Sequence, residues 1–248
     1  MIQTPTASSS PDAAPSSFRL CGCLTDVSAG DIPKFLKETP GVDLLEWRLD
    51  LFLEHHSVAE TTQALAHLAT RPRLSVLATL RPTAEGGAFA GPEELRLRLL
   101  REAVDAGADW VDLEASVPPS VVADFAATSA GVLLSHHDFN ATPPEEELKR
   151  LARSMSALLD GRPGILKIVT TACAPEDNLR VLSLIPWARD VLRHPVIAFC
   201  MGPLGRWSRA VSLLLGSPWT YVQLPGQAAP APGPFTPDEI RSILESLR

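Results

Sequence analysis

Short apolar runs alternate along the chain with longer segments in which apolar residues recur at helical spacing. Eight of the runs have the length and the content of β-branched and aromatic residues that are typical of buried strands. In chain order they read RLCGCL, VDLLEWRL, LSVLATL, DWVDLEA, GVLLSH, GILKIVT, PVIAFCM and WTYVQL. Strand and helix patterns therefore follow one another eight times.

Three of the intervening segments have the end signals of helices. PEELRLRLLREAVDAGA begins with proline and acidic residues and stops at Gly107. In TPPEEELKRLARSMSALLDG, Thr142 is predicted as the N-cap and Gly161 as the stop. TPDEIRSILESLR starts with Thr236 as the cap and Pro237 at the first helical position.

The alternation predicts an α/β fold, a single-domain (β/α)8 TIM barrel over residues 18–248. A doubly wound open sheet is the alternative, but that architecture usually has fewer strands. Residues 1–17, MIQTPTASSSPDAAPSS, are rich in Ser, Pro, Ala and Thr and are predicted to form a disordered tail. They lack the basic and apolar regions of a secretory signal.

Composition narrows the possible partners. The 248 residues are 45% hydrophobic and carry a formal net charge of -7, which argues against binding nucleic acid or an anionic membrane. No apolar run approaches the ~18–20 residues of a membrane span. The four cysteines, Cys21, Cys23, Cys173 and Cys200, lack the paired spacing of a zinc site, and we expect packing roles for Cys21 and Cys23. A cytoplasmic protein with a small-molecule partner fits these observations.

Several strands carry polar residues where a barrel would face its interior. Glu46 and Arg48 lie two apart and share a face of their strand. A buried ion pair would explain them, but the repetition of the pattern on other strands favours a binding site for a small polar ligand. Asp112 and Glu114 also share a face, and a structural charge network explains that pair as well as catalysis does.

Two further runs are followed by residues that could bind an anion, and one of them by a glycine pair that allows a sharp turn. Arg81 closes the third run, and Glu85 follows it in a loop with two glycines, which allow tight turns. Arg209 lies in the first turns of the helix after the seventh run, where a guanidinium and backbone N–H groups can clamp a carboxylate. Arg206 is expected to be an exposed charge.

The sixth run contains a lysine among apolar neighbours. Lys167 lies in the middle of GILKIVT, where a desolvated amine loses its proton readily and can attack a carbonyl. A lysine whose ammonium reaches solvent is the alternative. His136 and His137 end the fifth run side by side, so only one of them can face the barrel interior. An amine beside an imidazole indicates imine chemistry on a small anionic ketone or aldehyde.

Neither a metal-ligand set nor a GxSxG nucleophile motif occurs in the sequence. Six motifs occur in the chain in this order: EWRLD, TLRPTAEGG, DLEAS, SHHDF followed by TP, ILKIV and MGPLGRWSR. This ordered set resembles the type I 3-dehydroquinate dehydratases of the shikimate pathway, and the resemblance extends from Phe18 to the C-terminus.

The resemblance implies a cofactor-free lyase that acts as a homodimer. Lys167 would form an imine with the C3 ketone of 3-dehydroquinate. His137 would remove the C2 proton and protonate the departing hydroxyl, giving 3-dehydroshikimate, and Glu85 would orient His137. His136 would then face the helices as a packing residue.

The same resemblance assigns the substrate contacts. Glu46, Arg48 and Arg81 match substrate-binding positions, and Arg209 matches the arginine that holds the substrate carboxylate. The family closes its site with a loop close to SAPGQ, whose Ser and Gln bind the substrate.

In this chain the loop reads PAPGPF, with Pro230 and Pro234 in those places, and proline supplies neither side-chain donor nor N–H. Gln227, slightly upstream, is a candidate substitute. The altered loop leaves two alternatives open. One is a Schiff-base lyase or aldolase for another keto acid. The other is a barrel with low or no activity that serves as a binding or scaffold protein.

Overall fold

Each of the eight predicted runs forms a strand, and all eight belong to one parallel sheet. The computed structural model describes residues 18–70, 74–229 and 233–247. The predicted tail, residues 1–17, and Pro230 lie outside the described residues. The strands are Leu20–Leu24 (β1), Leu44–Arg48 (β2), Ser75–Thr79 (β3), Trp110–Glu114 (β4), Gly131–His137 (β5), Gly164–Thr171 (β6), Val196–Met201 (β7) and Thr220–Gln223 (β8).

The helices cover the outer face of this sheet. In the described part of the chain they are Ile32–Lys37 (α1), Leu49–Phe52 (α2), Val58–Leu65 (α3), Glu93–Asp105 (α4), Pro119–Ala126 (α5), Glu145–Leu159 (α6), Asp177–Val191 (α7), Ser208–Leu214 (α8) and Pro237–Ser246 (α9). Short 3₁₀ turns occur at Ala66–Thr70 and Thr83–Glu85. The predicted (β/α)8 barrel is confirmed. No described helix has both the length and the apolar character needed to cross a bilayer.

The strand order sets which side chains meet inside the barrel. Hydrogen-bonded neighbours run in the order β7-β6-β5-β4-β3-β2-β1-β8. Glu114 is level with Ser135, and Ser135 is level with Lys167. Aligned residues of parallel strands point to the same face, so these three side chains, from β4, β5 and β6, lie side by side in the barrel interior.

Apolar residues fill the two layers that the alternation predicts. Leu45, Trp47 and Leu49 pack outward, in the cluster between strands and helices. Leu44 and Leu77 belong to a separate inner cluster, which fills the barrel interior together with large side chains from β7 and β8. The inner cluster leaves room for polar groups only towards the carboxyl ends of the strands.

The helix ends agree with the sequence prediction in two of three cases. Thr236 caps α9 in a capping box with Glu239, and Gly107 and Gly161 lie just beyond α4 and α6 with positive φ. The prediction of Thr142 as an N-cap is wrong, because the N-cap position of α6 is Pro144, which makes no side-chain capping hydrogen bond. The Thr142 hydroxyl lies 2.7 Å from that of Thr170 on β6 and donates to the backbone carbonyl of Thr171 at 2.8 Å.

Replacing Thr236 by alanine removes the side-chain oxygen that accepts the N–H of Glu239. We expect the free energy of unfolding to fall by about 1 kcal/mol, measured by urea denaturation. Ser246→Ala, at an exposed position near the other end of α9, is the control and should change it by less than about 0.5 kcal/mol. Equal effects of the two substitutions would contradict a capping role.

Candidate active site

A pocket opens at the carboxyl ends of the strands, where (β/α)8 barrels carry their sites. Seven of the eight site residues predicted from the sequence line it: Glu46, Arg48, Arg81, Glu85, His137, Lys167 and Arg209. They come from four strands or the turns that follow them, β2, β3, β5 and β6, and from the start of α8. The structure does not bring the eighth, Gln227, to the pocket wall.

Lys167 reaches into this pocket from the middle of β6. Its ammonium nitrogen lies 3.4 Å from Asp112 Oδ2 and 3.9 Å from Glu46 Oε1. It also lies 4.3 Å from the centre of the Tyr221 ring, so the ring face adds a cation–π contact. The lysine is buried as expected, but its surroundings are not purely apolar, because β2 and β4 supply the carboxylates that its own run lacks.

Glu46 is held by two uncharged donors. The Thr79 hydroxyl donates to Oε1 at 2.9 Å, and the Cys23 thiol donates to Oε2 at 3.3 Å. Burial and the nearby Glu46 carboxylate raise the pKa of the Cys23 thiol well above its usual value, so it stays neutral. Cys23 lines the pocket, a role beyond the packing that the sequence indicated.

Arg81 is held by three acceptors on β4 and β5. It donates to Asp112 at 2.6 Å, to Glu114 at 2.7 Å and to Ser135 Oγ at 2.7 Å. Burial would raise the pKa of Asp112, but Arg81 and Lys167 outweigh it and hold that pKa below the usual value. Burial and the Asp112 charge raise the pKa of Glu114 despite Arg81. One guanidinium is thus shared by two carboxylates.

Arg48 is fixed by a carboxylate that the sequence did not single out. Its Nε and Nη2 donate to the two oxygens of Asp50 on α2, at 2.9 and 2.7 Å. Asp50 Oδ2 also accepts the backbone N–H of Ala88 at 3.1 Å. Asp50 therefore connects Arg48 to the loop that carries Glu85. Its position two residues after Arg48, inside the EWRLD motif, is the sequence signal that could have identified it.

The loop after β3 brings Glu85 to His137. A Cβ at Gly87 would lie 2.1 Å from the carbonyl oxygen of Arg81, so only glycine permits this packing. Glu85 Oε2 accepts the backbone N–H of His137 at 3.2 Å and lies 3.5 Å from the ring Nδ1. The carboxylate is therefore placed to orient the imidazole, although Nδ1 makes no hydrogen bond within the described residues.

His137 is the histidine that faces the pocket. Burial lowers its pKa well below 6.5, and the positive charges of Arg81 and Lys167 lower it further. The imidazole is therefore neutral at pH 7 and able to accept a proton. His136 does not line the pocket and is half-buried. Phe139, two residues beyond His137, extends the pocket wall with its ring 6.1 Å from the imidazole.

Arg209 lines the same pocket from the first turn of α8. Its guanidinium packs 4.3 Å from the centre of the Phe199 ring, and burial lowers its pKa to about 10, so it remains a cation at neutral pH. Arg206 was expected to be an exposed charge but is half-buried, and it pairs with Glu239 at 3.0 Å.

Gln227 is bonded to the turn that follows β1. Its Oε1 accepts the N–H groups of Thr25 and Asp26 at 2.8 and 2.9 Å, and its Nε2 donates to the Asp26 carbonyl at 2.8 Å. The amide thus joins two loops at the rim of the barrel. Among the described residues, no group of three or more His, Cys, Asp or Glu side chains is arranged to hold a metal ion.

The lowered pKa of His137 predicts an abnormal titration. At pH 6 an ordinary histidine is roughly three-quarters protonated, whereas His137 should remain neutral in ¹⁵N NMR spectra, with the His137→Gln variant as the assignment control. Because the unfolded chain binds this proton near pH 6.5 and the folded chain does not, acidification below that pH should reduce the free energy of unfolding. A midpoint near 6.5 in the folded protein would contradict the burial argument.

Comparison with known proteins gives one family. The family model described as type I 3-dehydroquinase matches residues 21–248. A protein named 3-dehydroquinate dehydratase from Syntrophobacter fumaroxidans is 47% identical over 91% of this chain and 95% of its own length. Another of that name, from Thermococcus gammatolerans, is 40% identical over 83% of this chain and 88% of its length.

Solved structures show the same fold. The 3-dehydroquinate dehydratase of Geobacillus kaustophilus superposes with a TM-score of 0.83 at 27% identity, covering 94% of this chain and 91% of that one. The type I enzyme of Clostridium difficile, solved with covalently modified comenic acid, gives 0.78 at 27% identity, covering 92% and 91%. With its barrel, its pocket and a family match over nearly the whole chain, this protein belongs to the type I 3-dehydroquinase family.

Proposed function

We propose that this chain is a lyase that dehydrates 3-dehydroquinate to 3-dehydroshikimate through an imine on Lys167. One observation carries the proposal: a buried lysine amine on β6 and a neutral histidine on neighbouring β5 open into the same pocket. The names of relatives that are 47% and 40% identical support the same substrate. The reaction places the chain in the shikimate pathway.

In the proposed mechanism, the neutral Lys167 amine adds to the C3 ketone and water leaves, which gives the imine. The protonated imine accepts the electron pair that is released when His137 takes the C2 proton. His137 then returns a proton to the departing hydroxyl, which leaves as water. Hydrolysis of the imine frees the product and restores Lys167. No cofactor takes part in these steps.

The surrounding residues would hold the substrate. Arg209 is the cation for its carboxylate, because it lines the pocket and remains charged at neutral pH. Arg81 uses three of its five N–H donors on described residues, and the other two can reach substrate oxygens. Glu46 and Arg48 would bind substrate hydroxyls, and Glu85 would keep the His137 ring in place.

Gln227 lies at the rim of the barrel rather than in the pocket wall. A contact between its amide and the substrate would break three hydrogen bonds to the loop after β1. Its role would therefore be to fix the start of the loop between β8 and α9. The homodimer and the cytoplasmic location stay predictions.

Borohydride reduction in the presence of 3-dehydroquinate tests the imine directly. We expect the protein to show turnover as the rise of the conjugated enone absorbance. After reduction, a peptide that contains Lys167 should gain the mass of the reduced adduct. Lys167→Met should abolish both signals. Mass on another lysine would refute the assigned mechanism, and absence of turnover by the folded protein would refute the substrate.

The two adjacent histidines provide a matched pair of variants. His137→Ala removes the proton carrier, and we expect kcat to fall by roughly 10²–10⁴. His136→Ala changes a half-buried side chain outside the pocket and should retain kcat within a few-fold. Equal losses in the two variants, measured on the enone absorbance, would contradict the assignment of His137.

A further inference from the structure

Arg96 is a buried arginine on a helix outside the barrel. It is 1% exposed and lies on the face of α4 that packs against the sheet, one turn before Leu99 and Leu100. Apolar residues normally occupy such a position, because burying an unpaired charge is costly. The partners of Arg96 therefore have to account for its presence.

Those partners lead from the surface of α4 to the active-site pocket. Nε and Nη2 of Arg96 donate to the carboxylate of Glu93, which is half-exposed, both at 2.7 Å. Nη1 donates to Glu114 Oε2 and reaches the carbonyl oxygen of Leu80 at 3.4 Å. The other oxygen of Glu114 accepts from Arg81. Glu114 is thus held between Arg96 and Arg81.

The charges explain why Arg81 needs this second arginine. Asp112 and Glu114 both bind Arg81, and both are buried. Without Arg96, Glu114 would face only a guanidinium that is already shared with Asp112. It would then either draw Arg81 towards itself or take up a proton and loosen its hold on Arg81. Both responses change where the Arg81 donors point.

We propose that Arg96 is a positioning residue that fixes Glu114 and thereby sets the direction of the Arg81 guanidinium in the pocket. Arg96 does not line the pocket itself. The placement of Arg81 follows from the contacts alone, and only the kinetic consequence rests on the proposed dehydratase function.

Arg96→Met tests the proposal, with Arg98→Met as the matched control. Arg98 lies two residues further along α4, is exposed and pairs only loosely with Glu102, at 3.7 Å. In a crystal structure of Arg96→Met we expect the Arg81 guanidinium to move by about 1 Å, and kcat/KM for 3-dehydroquinate to fall by roughly tenfold or more. Arg98→Met should leave both unchanged.

A double variant separates this role from a general loss of stability. Arg96→Met combined with Glu114→Gln removes the carboxylate that Arg96 compensates, while the amide oxygen still accepts from Arg81. We expect Arg81 to return to its place and kcat/KM to recover severalfold relative to Arg96→Met. If Arg96→Met does not fold, the double variant should fold and keep Arg81 in place.

Some results would overturn the proposal. One is an Arg81 guanidinium that stays within about 0.5 Å of its position in Arg96→Met. A second is an unchanged kcat/KM in Arg96→Met although Arg81 has moved. A third is a double variant that does not fold, or whose kcat/KM stays as low as that of Arg96→Met. Lack of turnover by the unmodified protein would refute the dehydratase function instead. The position of Arg81 in the variants would still decide the role of Arg96.

Discussion

The charged side chains of the site are buried away from water and must compensate one another, and the rest of the site depends on this constraint. Three buried cations and three buried carboxylates are linked by contacts near the pocket: Arg81 and Lys167 in the barrel and Arg96 on α4, with Glu46, Asp112 and Glu114. A lone ion in this position would cost several kcal/mol. The six groups therefore share partners. Asp112, for example, contacts three residues: Arg81, Lys167 and Ser135. The contacts run in sequence from Glu46 through Lys167, Asp112, Arg81 and Glu114 to Arg96, so moving one inner member changes the contacts of both its neighbours.

The same arrangement gives Lys167 and His137 different electrostatic surroundings. Lys167 lies beside two carboxylates, with its nitrogen 3.4 Å from Asp112 and 3.9 Å from Glu46. The near neighbours that shift the pKa of His137 are mainly cations, and Glu85 is the carboxylate that touches it. The imidazole therefore stays neutral. The amine and the imidazole thus share one pocket but have neighbours of opposite charge.

How much of this could be predicted depends on how far apart in the chain the contacts lie. Alternation along a strand is local, so the shared face of Glu46 and Arg48 could be assigned from their own run, whereas the choice of His137 over His136 needed the family resemblance. Asp50 and Arg96 act through residues on other elements. Each had one local signal: Asp50 follows Arg48 by two residues in EWRLD, and Arg96 lies among the apolar-face residues of its helix. Likewise, the carboxylates around Lys167 come from β2 and β4, which the β6 run cannot reveal.

Hydrogen bonds to neighbouring segments also hold the loop between β8 and α9. It is fastened at its start, where Gln227 bonds to Thr25 and Asp26, and again at Phe235, whose carbonyl accepts the Gln223 N–H at 2.9 Å. Between these points the sequence is AAPAPGP, and its three prolines restrict φ in the unfolded chain as well as in the folded one. Restricted φ reduces the conformational entropy that these residues lose on folding. The contacts at Gln227 and Phe235 therefore hold the two ends of a segment whose own sequence lowers the entropy cost of folding.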